Sequence, residues 1–322
     1  MISDSLLIGD LGATNARFAL ARHEHPGFSN ERTLKCAEHP SPLAALNHYL
    51  EASGVSHLSS ICLAVAAPVA SDVIRFINND WQLNANELRK EFAPARVQII
   101  NDFKAAAYAI PLLGNHDLLS VGGPAFELEE GQDFSVGVIG PGSGLGVSGL
   151  VKENRKLQSI SGEGGHQGFS PHSRLQLQVF EVVRRRFGRT SNERLISGPG
   201  IENIYSAMQE IFGQQGNPRT AADIMQRAIE GSDEAASSTE SLFFEILGQV
   251  AGDLALLIGA YDGVLIGGGI VKRYPQRLLS SRFREGFENK GRHGDLMKNI
   301  PTCLVTHPNP GLLGASHLAQ IS

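Results

Sequence analysis

The 322-residue sequence has few cysteines and no cysteine motif. Its three cysteines, Cys36, Cys62 and Cys303, lie far apart and form no CxxC pair. This spacing disfavours a disulfide scaffold and a cysteine-based zinc site, so we expect a reducing, cytoplasmic setting. The N-terminal segment lacks the basic region of a signal peptide, and Asp4 and Asp10 interrupt its apolar run.

The sequence also lacks an excess of positive charge and an uninterrupted membrane-spanning run. Lys and Arg total 28 against 33 Asp and Glu, a formal net charge of −5. We therefore expect neither a nucleic acid nor an anionic membrane as partner. The most membrane-like window, residues 254–271, contains Asp262 and three consecutive glycines. We interpret this window as a buried helix end, a turn and a buried strand.

Strand-like apolar runs alternate with helical periods along the chain, which predicts an α/β fold. The length suggests about two domains. Residues 112–132 are rich in Gly, Pro and polar residues, so we predict that the chain crosses between domains in this segment.

Near the N-terminus, an apolar run ends at Asp10, and a second apolar run follows a turn of small residues. This pattern predicts strand, tight turn, strand. Backbone N–H groups at Gly12 and Ala13 can face phosphate oxygens, because little side chain is in the way. Asp10 can face phosphate only through a cation such as Mg²⁺. The pattern indicates nucleotide-dependent phosphoryl transfer; an ordinary hairpin with an Asx-type turn is the alternative.

A second strand–turn–strand pattern occupies residues 135–151, with the glycine-rich turn at 140–146. No Gly-Lys-Ser/Thr follows it, which disfavours a P-loop, and a strand follows it where GxGxxG would open a helix. Two such hairpins indicate an internal duplication in which one hairpin per domain closes on a nucleotide.

An amide and a carboxylate, Asn101 and Asp102, stand where a predicted strand meets a predicted helix. One interpretation is a helix N-cap, for which both residue types are preferred. The other is catalytic: Asp102 accepts a proton from an alcohol that attacks phosphorus, and Asn101 holds that alcohol by hydrogen bonds.

Glycines flank Glu163 and His166, which argues against the helix on which Glu-x-x-His metal sites occur. A sugar- or polyol-binding loop suits these residues better, with a structural turn as the alternative. Glu193 precedes a sharp turn at residues 197–200. It is a candidate to face the same cleft as the loop at Glu163 and His166, and the alternative is an ordinary surface residue. Gly267 and Gly268 follow an apolar strand and permit close approach of a flat ligand such as adenine; a tight turn is the alternative.

Together these motifs resemble the bacterial glucokinase family of the hexokinase and actin-like ATPase superfamily. The matching stretches follow the family's order and cover nearly the whole chain, at residues 9–17, 99–103, 142–146, 162–166, 197–200, 267–271 and 309–314. The resemblance implies a two-domain actin-like ATPase (ribonuclease H-like) α/β fold with an interdomain cleft. It places residues 1–111 and 303–322 in a small domain and residues 112–302 in a large one.

The resemblance also implies a cytoplasmic, homodimeric glycolytic kinase that uses ATP and Mg²⁺ to phosphorylate glucose at O6. Asp102 corresponds to the catalytic base, which also binds the sugar. The other positions that correspond to sugar ligands are Asn101, Glu163, His166 and Glu193. The positions that correspond to nucleotide-binding residues are Gly9, Asp10, Leu11, Gly12, Ala13, Thr14, Asn15, Gly142, Ser143, Gly144, Gly267 and Gly268. Asp10 is expected to hold Mg²⁺ through water.

Four residues, at three places in the chain, depart from the family pattern. Ala13 and Ser143 stand where the family usually has Gly and Thr, and Gln167-Gly168 stand where it usually has Val-Asp. A methyl group at residue 13 would crowd the phosphates if that residue needed a positive φ. The Gln167-Gly168 pair leaves open a kinase for mannose, fructose or an amino sugar. A non-catalytic sugar sensor is a rival of a different class.

Overall fold

Strands and helices alternate along the chain, as the apolar pattern predicts. The computed structural model describes residues 5–55, 57–76, 79–214 and 216–322. The strands in these residues are β1 (Ser5–Leu11), β2 (Asn15–Arg22), β3 (His25–Lys35), β4 (Leu58–Val65), β5 (Val73–Arg75), β6 (Gln82–Asn84), β7 (Arg96–Asn101), β8 (Leu118–Gly122), β9 (Phe134–Pro141), β10 (Leu145–Glu153), β11 (Lys156–Gly162), β12 (Gly263–Ile266) and β13 (Thr302–Val305). The α-helices are α1 (Pro42–Ser53), α2 (Ala85–Glu91), α3 (Asp102–Tyr108), α4 (Arg174–Phe187), α5 (Gly198–Ile211), α6 (Ala221–Glu230), α7 (Glu234–Ile258), α8 (Gly269–Arg273), α9 (Pro275–Leu279), α10 (Phe283–Glu288), α11 (Gly294–Lys298) and α12 (Pro310–Ile321).

The chain divides into two units. Unit 1 comprises Met1–Gly114 and His307–Ser322, and unit 2 comprises Asn115–Thr306. The sequence-based boundary between residues 302 and 303 falls inside β13, which pairs with β12 and β8 and therefore belongs to unit 2. The other sequence-based boundary, between residues 111 and 112, lies close to the observed division after Gly114.

Unit 1 contains a five-stranded sheet in the order β3-β2-β1-β4-β7. β1 pairs antiparallel with β2 and parallel with β4, which in turn pairs parallel with β7. β1 and β4 are apolar and largely buried, as expected for central strands covered on both faces. The helix α1 begins after Ser41, whose hydroxyl accepts the Ala44 N–H, and ends at Gly54 in the left-handed conformation.

Within unit 1, the C-terminal helix α12 packs closely against α3. A Cβ added to Gly314 would lie 1.7 Å from the Ala105 carbonyl oxygen, so only glycine permits this approach. The His317 imidazole Nδ1 lies 2.8 Å from the carbonyl oxygen of Tyr108, at the other end of α3. The C-terminal segment thereby fixes α3, and with it the position of Asp102 at the helix start.

Unit 2 contains a six-stranded sheet in the order β11-β10-β9-β12-β13-β8. Its first three strands are antiparallel, and β9, β12 and β13 are mutually parallel. This arrangement repeats the strand order and directions of the unit 1 sheet, with β8 added at the edge. The repeat supports the internal duplication that the two hairpin patterns indicate.

The 25-residue helix α7 forms the centre of unit 2, where α5, α6 and α10 pack against it. Within the described residues, α7 is the one helix whose length and apolar composition would allow it to cross a membrane. However, 67% of its most apolar window is buried inside the protein. α7 ends at Ile258, and the buried strand β12 follows after a short turn. The interpretation of residues 254–271 as helix end, turn and strand is confirmed.

Candidate functional site

The turn between β1 and β2 has its carbonyl groups fixed by the rest of unit 1. The Ala13 carbonyl accepts a hydrogen bond from Asn79 Nδ2 at 2.9 Å, and the Thr14 carbonyl accepts one from the Cys36 N–H. The Gly12 carbonyl is 3.5 Å from Cys36 Sγ. In the part of the chain that the structure describes, the N–H groups of Ala13 and Thr14 have no partner. Two adjacent donors are thus available to an anion.

Asp10 lies on β1 directly opposite Arg17 on β2. Its Oδ2 is 3.6 Å from the Arg17 guanidinium. Burial raises the pKa of Asp10, and Arg17 opposes that shift. Gly311, in the first turn of α12, faces the Asp10 carboxyl group, and a Cβ added there would lie 3.2 Å from Asp10 Cγ. The carboxylate is therefore confined on two sides.

Two of the predicted nucleotide-binding residues have packing roles in this region. Gly9 faces Phe18 and Leu63, and a Cβ added to Gly9 would lie 2.7 Å from Leu63 Cδ2. Leu11 is fully buried in the core of unit 1. Nucleotide contact by these two residues therefore stays a prediction, and their observed packing contacts are with the core of unit 1.

Asn101 and Asp102 stand at the junction of β7 and α3. The Asn101 side-chain oxygen caps α3 by accepting the N–H groups of Phe103 and Lys104. The capping interpretation is confirmed for this residue, and its amide oxygen is occupied. The Asn101 amide nitrogen is 3.5 Å from the Ala67 carbonyl oxygen, a long contact that leaves donor capacity for another group.

Asp102 has the electrostatic character of a general base. Burial raises its pKa to about 6, and the negative charge of Asp10 adds to the shift. The Phe103 N–H donates to Asp102 Oδ1 at 2.9 Å, which favours the ionised form. A carboxylate of this basicity is ionised near neutral pH yet accepts a proton more readily than an exposed aspartate.

The second predicted phosphate-facing turn, between β9 and β10, has the same design. The Gly142 carbonyl accepts the Gly198 N–H, and the Gly144 carbonyl accepts the Gly142 N–H, each at 2.8 Å. Among the described residues, the N–H groups of Ser143 and Gly144 have no partner. Unit 2 therefore offers a second pair of adjacent free donors.

A 3₁₀ turn at Gly164–His166 follows Glu163 directly and ends with His166. The side chains of Glu163 and His166 are both exposed. The Gly165 carbonyl accepts the Glu193 N–H at 2.8 Å. Glu193 Oε1 lies 4.0 Å from His166 Nδ1, and its Oε2 accepts the Leu145 N–H at 2.9 Å. Unit 2 thus brings Glu193 to both the 163–166 loop and the turn between β9 and β10.

An apolar cavity of about 220 Å³ opens beside the turn between β9 and β10. Its lining includes Gly142, Ser143, Ile201, Met225, Ile270 and Tyr274. Gly268 precedes α8 with a φ of +90°, and a Cβ added there would lie 2.3 Å from the Pro141 carbonyl oxygen. The Gly267 N–H donates to Ile139. Both glycines join β12 closely to β9, and the next residue, Gly269, reaches the cavity.

No group of three or more His, Cys, Asp and Glu side chains is placed to hold a metal ion within the described ranges. Mg²⁺ differs from zinc because it is often held by one or two carboxylates together with phosphate oxygens and water. The buried carboxylate of Asp10, on the strand that leads into the turn with two free backbone donors, fits that donor set.

Comparison with known proteins identifies the family. A sequence model of the family described as Glucokinase matches residues 7–322. The glucokinase of Xylella fastidiosa strain 9a5c is 40% identical over 321 residues, covering 98% of this chain and 95% of that protein. The chain belongs to the glucokinase family. The glucokinase of Salmonella typhi is 39% identical over 315 residues, covering 98% and 97% of the two chains.

A solved structure extends this finding to three dimensions. The crystal structure of glucokinase from an Antarctic psychrotroph has a TM-score of 0.90 and 34% identity, covering 99% of each chain. The mixed α/β fold described here is thus a glucokinase-family fold over its full length.

Ala13, which stands where the glucokinase family usually has glycine, causes no backbone strain in this chain. The described non-glycine residues with positive φ are Asn30, Asn154 and Arg155, so Ala13 is outside the left-handed region. The sequence does not predict the roles of Asn79 and Cys36, which hold the carbonyl groups of the turn between β1 and β2. Both lie far from residue 13 in sequence, so no local pattern links them to it. The sequence also does not predict that Ile201 and Met225 line the cavity, because both follow the periodicity of ordinary core positions.

Proposed function

We propose that this chain transfers the γ-phosphoryl group of ATP to the 6-hydroxyl of glucose, giving glucose 6-phosphate and ADP at the entry to glycolysis. The observation that carries the proposal is the buried carboxylate of Asp102, with a pKa of about 6, in a chain of the glucokinase family. Phosphoryl transfer to an alcohol needs a group that removes the hydroxyl proton as the oxygen attacks.

Asp102 is the proposed general base and also binds the 6-hydroxyl of the sugar. The hydroxyl proton moves to the Asp102 carboxylate while O6 bonds to the γ-phosphorus. The bond between that phosphorus and the bridging oxygen breaks, and ADP leaves with the bonding electrons. Asn101 contributes a hydrogen-bond donor rather than an acceptor, because its amide oxygen caps α3.

The two turns are the proposed binding sites for the ATP phosphates. The free N–H groups of Ala13 and Thr14, and those of Ser143 and Gly144, can donate to phosphate oxygens without moving a side chain. Gly12 and Asn15 maintain the first turn through the Gly12 N–H bond to the Asn15 carbonyl at 3.0 Å.

Asp10 is the proposed residue that holds Mg²⁺, through water. When bound, Mg²⁺ neutralises phosphate charge and orients the oxygens of ATP. The confinement of the Asp10 carboxyl group by Arg17 and Gly311 limits the orientations it can adopt toward that ion.

The residues proposed to bind the sugar are Asn101 and Asp102 in unit 1 and Glu163, His166 and Glu193 in unit 2. The carboxylates at residues 163 and 193, the first exposed and the second partly buried, can accept the donor hydrogens of sugar hydroxyls, and the imidazole of His166 can donate or accept. The support for this assignment is the motif correspondence and, within unit 2, the approach of Glu193 to His166.

The adenosine moiety is proposed to occupy the cavity beside Ser143. Its apolar lining suits a flat ring, and its position next to the turn between β9 and β10 suits a nucleotide whose phosphates bind that turn. Gly267 and Gly268 shape this site by bringing β12 against β9 rather than by offering side chains.

We further propose an actin-like ATPase (ribonuclease H-like) fold of the hexokinase superfamily, which the repeated strand order of the two sheets supports. The small and large domains of that fold correspond to units 1 and 2. A homodimer follows from the family resemblance. A cytoplasmic location accords with three free, buried cysteines.

The test is sugar-dependent ADP release with Mg²⁺-ATP, comparing glucose with mannose, fructose and N-acetylglucosamine. The proposal predicts that glucose has the highest kcat/KM and that the product carries phosphate on O6. A higher kcat/KM for another hexose would favour the alternative function, a kinase for mannose, fructose or an amino sugar. That alternative rests on Gln167-Gly168, which stand where the family usually has Val-Asp. Tight glucose binding with no sugar phosphate formed would instead indicate a sensor.

A further inference from the structure

In unit 2, Glu193 joins two functional segments that are distant in sequence. Its Oε2 accepts the Leu145 N–H, which closes the turn between β9 and β10. Its Oε1 lies 4.0 Å from the His166 imidazole, and its own N–H donates to the Gly165 carbonyl. One carboxylate therefore lies between the proposed phosphate turn and the proposed sugar loop.

We propose that Glu193 is a positioning residue for the phosphate turn, residues 142–145, in addition to any contact it makes with sugar. The inference rests on the proposed role of this turn in binding ATP. It predicts that Glu193 contributes to ATP affinity even when no sugar is present, which a residue serving only as a sugar ligand would not do.

The contact geometry gives the physical reason. The bond from the Leu145 N–H to a carboxylate is charge-assisted, and such bonds are stronger than bonds between neutral groups. The carboxylate also lies against the turn itself, because a Cβ added to Gly144 would be 2.6 Å from Glu193 Oε2. Loss of this side chain leaves the Leu145 N–H without its acceptor and opens space beside Gly144.

The rest of the turn does not duplicate this contact. The Gly198 N–H fixes the Gly142 carbonyl at the other side of the turn, but the free donors of Ser143 and Gly144 lie between that anchor and Leu145. The Glu193 side chain is about one-third exposed (31%), so solvent does not fully screen its bond. Both anchors are needed to hold the two free N–H groups in one orientation.

The experiment measures the affinity of a non-hydrolysable ATP analogue with Mg²⁺, by isothermal titration calorimetry, in the full chain without sugar. Glu193→Ala is expected to weaken binding roughly tenfold, since it removes a hydrogen bond to a charged acceptor. Glu193→Gln keeps a carbonyl oxygen for the Leu145 N–H and should stay within about threefold of wild type. Glu153→Ala, the matched control, removes an exposed glutamate at the far end of β10 from the turn and should leave analogue affinity unchanged.

Gly144→Ala tests the same contact from the opposite side. Its methyl group would collide with Glu193 Oε2, so it should weaken analogue binding when Glu193 is present. In the Glu193→Ala background that obstacle is gone, and the double variant should bind no more weakly than Glu193→Ala alone, a non-additive result. Gly294→Ala controls for the glycine substitution, since its Cβ would meet only ordinary contact with Glu288 O at 3.4 Å.

The outcomes separate this inference from the proposed function. If Gly144→Ala weakens analogue binding while Glu193→Ala leaves it unchanged or strengthens it, the positioning role of Glu193 is overturned. The proposed role of the turn in ATP binding is then retained. If neither substitution changes analogue affinity, the positioning role is overturned in the same way, whereas failure of the wild-type chain to bind the analogue would overturn the proposed function. Equal weakening by Glu193→Ala, Glu193→Gln and Glu153→Ala would also overturn the inference, because the bond to Leu145 would not be the cause.

Discussion

Asp10 and Asp102 are coupled electrostatically within unit 1. Burial raises the pKa of Asp102 to about 6, and the negative charge of Asp10 is the next cause. The residue proposed to hold Mg²⁺ thus helps to make the proposed base more basic. The Arg17 guanidinium, 3.6 Å from Asp10, limits this effect by offsetting part of the Asp10 charge.

The first prediction concerns pH. The base must be ionised to accept a proton, so kcat/KM for glucose should fall as the pH decreases below about 6, approaching tenfold per pH unit. Carboxyl-detected NMR titration, with Asp102→Asn to assign the signal, should give the Asp102 pKa directly. Asp10→Asn should lower that pKa without restoring 3.8, because burial is the larger cause. An Asp102 titration near 4 in the wild-type protein would contradict the prediction.

The second prediction concerns catalysis. Asp102→Asn keeps the size and polarity of the side chain but removes the proton acceptor. We expect kcat to fall by roughly 10²–10⁴-fold, while glucose binding measured by calorimetry changes little. Asp295→Asn, at an exposed carboxylate of α11 paired with Lys298, is the control. Turnover near the wild-type rate in Asp102→Asn would remove Asp102 from its proposed role.

The third prediction concerns stability. The pKa of Asp102 is higher in the folded state, about 6, than the ordinary value of 3.8. Its ionisation therefore costs folding free energy progressively as the pH rises from about 4 to 6, and the cost is full above that. Asp102→Asn should stabilise the unliganded protein by about 2–3 kcal/mol at pH 7.5 and by little at pH 4. Thermal unfolding at both pH values measures this, and a pH-independent difference would contradict it.

Local signals in the sequence predicted much of this architecture. The apolar periodicity predicts a helix over Pro42–Ser53, and α1 occupies these residues, with Ser41 before it and Gly54 after it as end signals. The N-cap role of Asn101 also follows from local chemistry. The sequence predicts no strand where β3 lies, because this segment is polar, largely exposed at a sheet edge and shows no alternation. For α7 the sequence predicts a helix over Ser241–Tyr261, whereas the observed helix is Glu234–Ile258. Its first two turns contain Ser and Thr, which are weak helix formers, although Asp233 caps them.

The site was predictable as a set of residues but not as a set of contacts. Turn chemistry identified residues 12–14 and 142–144 from their small side chains. The bond from Leu145 to Glu193 spans 48 residues, and the bond from Asn79 to Ala13 spans 66. Contacts over such separations depend on strand order, which neither periodicity nor spacing specifies.

The fourth prediction concerns the methyl group of Ala13. Its backbone is outside the positive-φ region, and Asn79 already fixes its carbonyl. Ala13→Gly should therefore leave the KM for ATP within about twofold of wild type and lower stability by about 0.5–1 kcal/mol through added chain entropy. Asn79→Ala, which releases the carbonyl, should raise that KM. A lower KM in Ala13→Gly would show that the methyl group crowds the phosphates.

The fifth prediction concerns the glycines of α12. A methyl group at residue 311 would lie 3.2 Å from Asp10 Cγ, so the carboxyl group must shift by a few tenths of an ångström. We expect Gly311→Ala to lower kcat/KM for ATP roughly tenfold, because small misplacements of positioning groups are costly, and to raise the Mg²⁺ concentration needed for half-maximal rate. Its melting temperature should stay close to that of the wild type.

Gly314→Ala is the matched substitution one turn away on the same helix. Its Cβ would lie 1.7 Å from the Ala105 carbonyl oxygen, and a backbone atom cannot move aside as a side chain can. This variant should unfold at a markedly lower temperature, since α12 must separate from α3 to admit the methyl group. Wild-type kinetics in Gly311→Ala at every Mg²⁺ concentration would show that the approach of α12 does not control the position of Asp10.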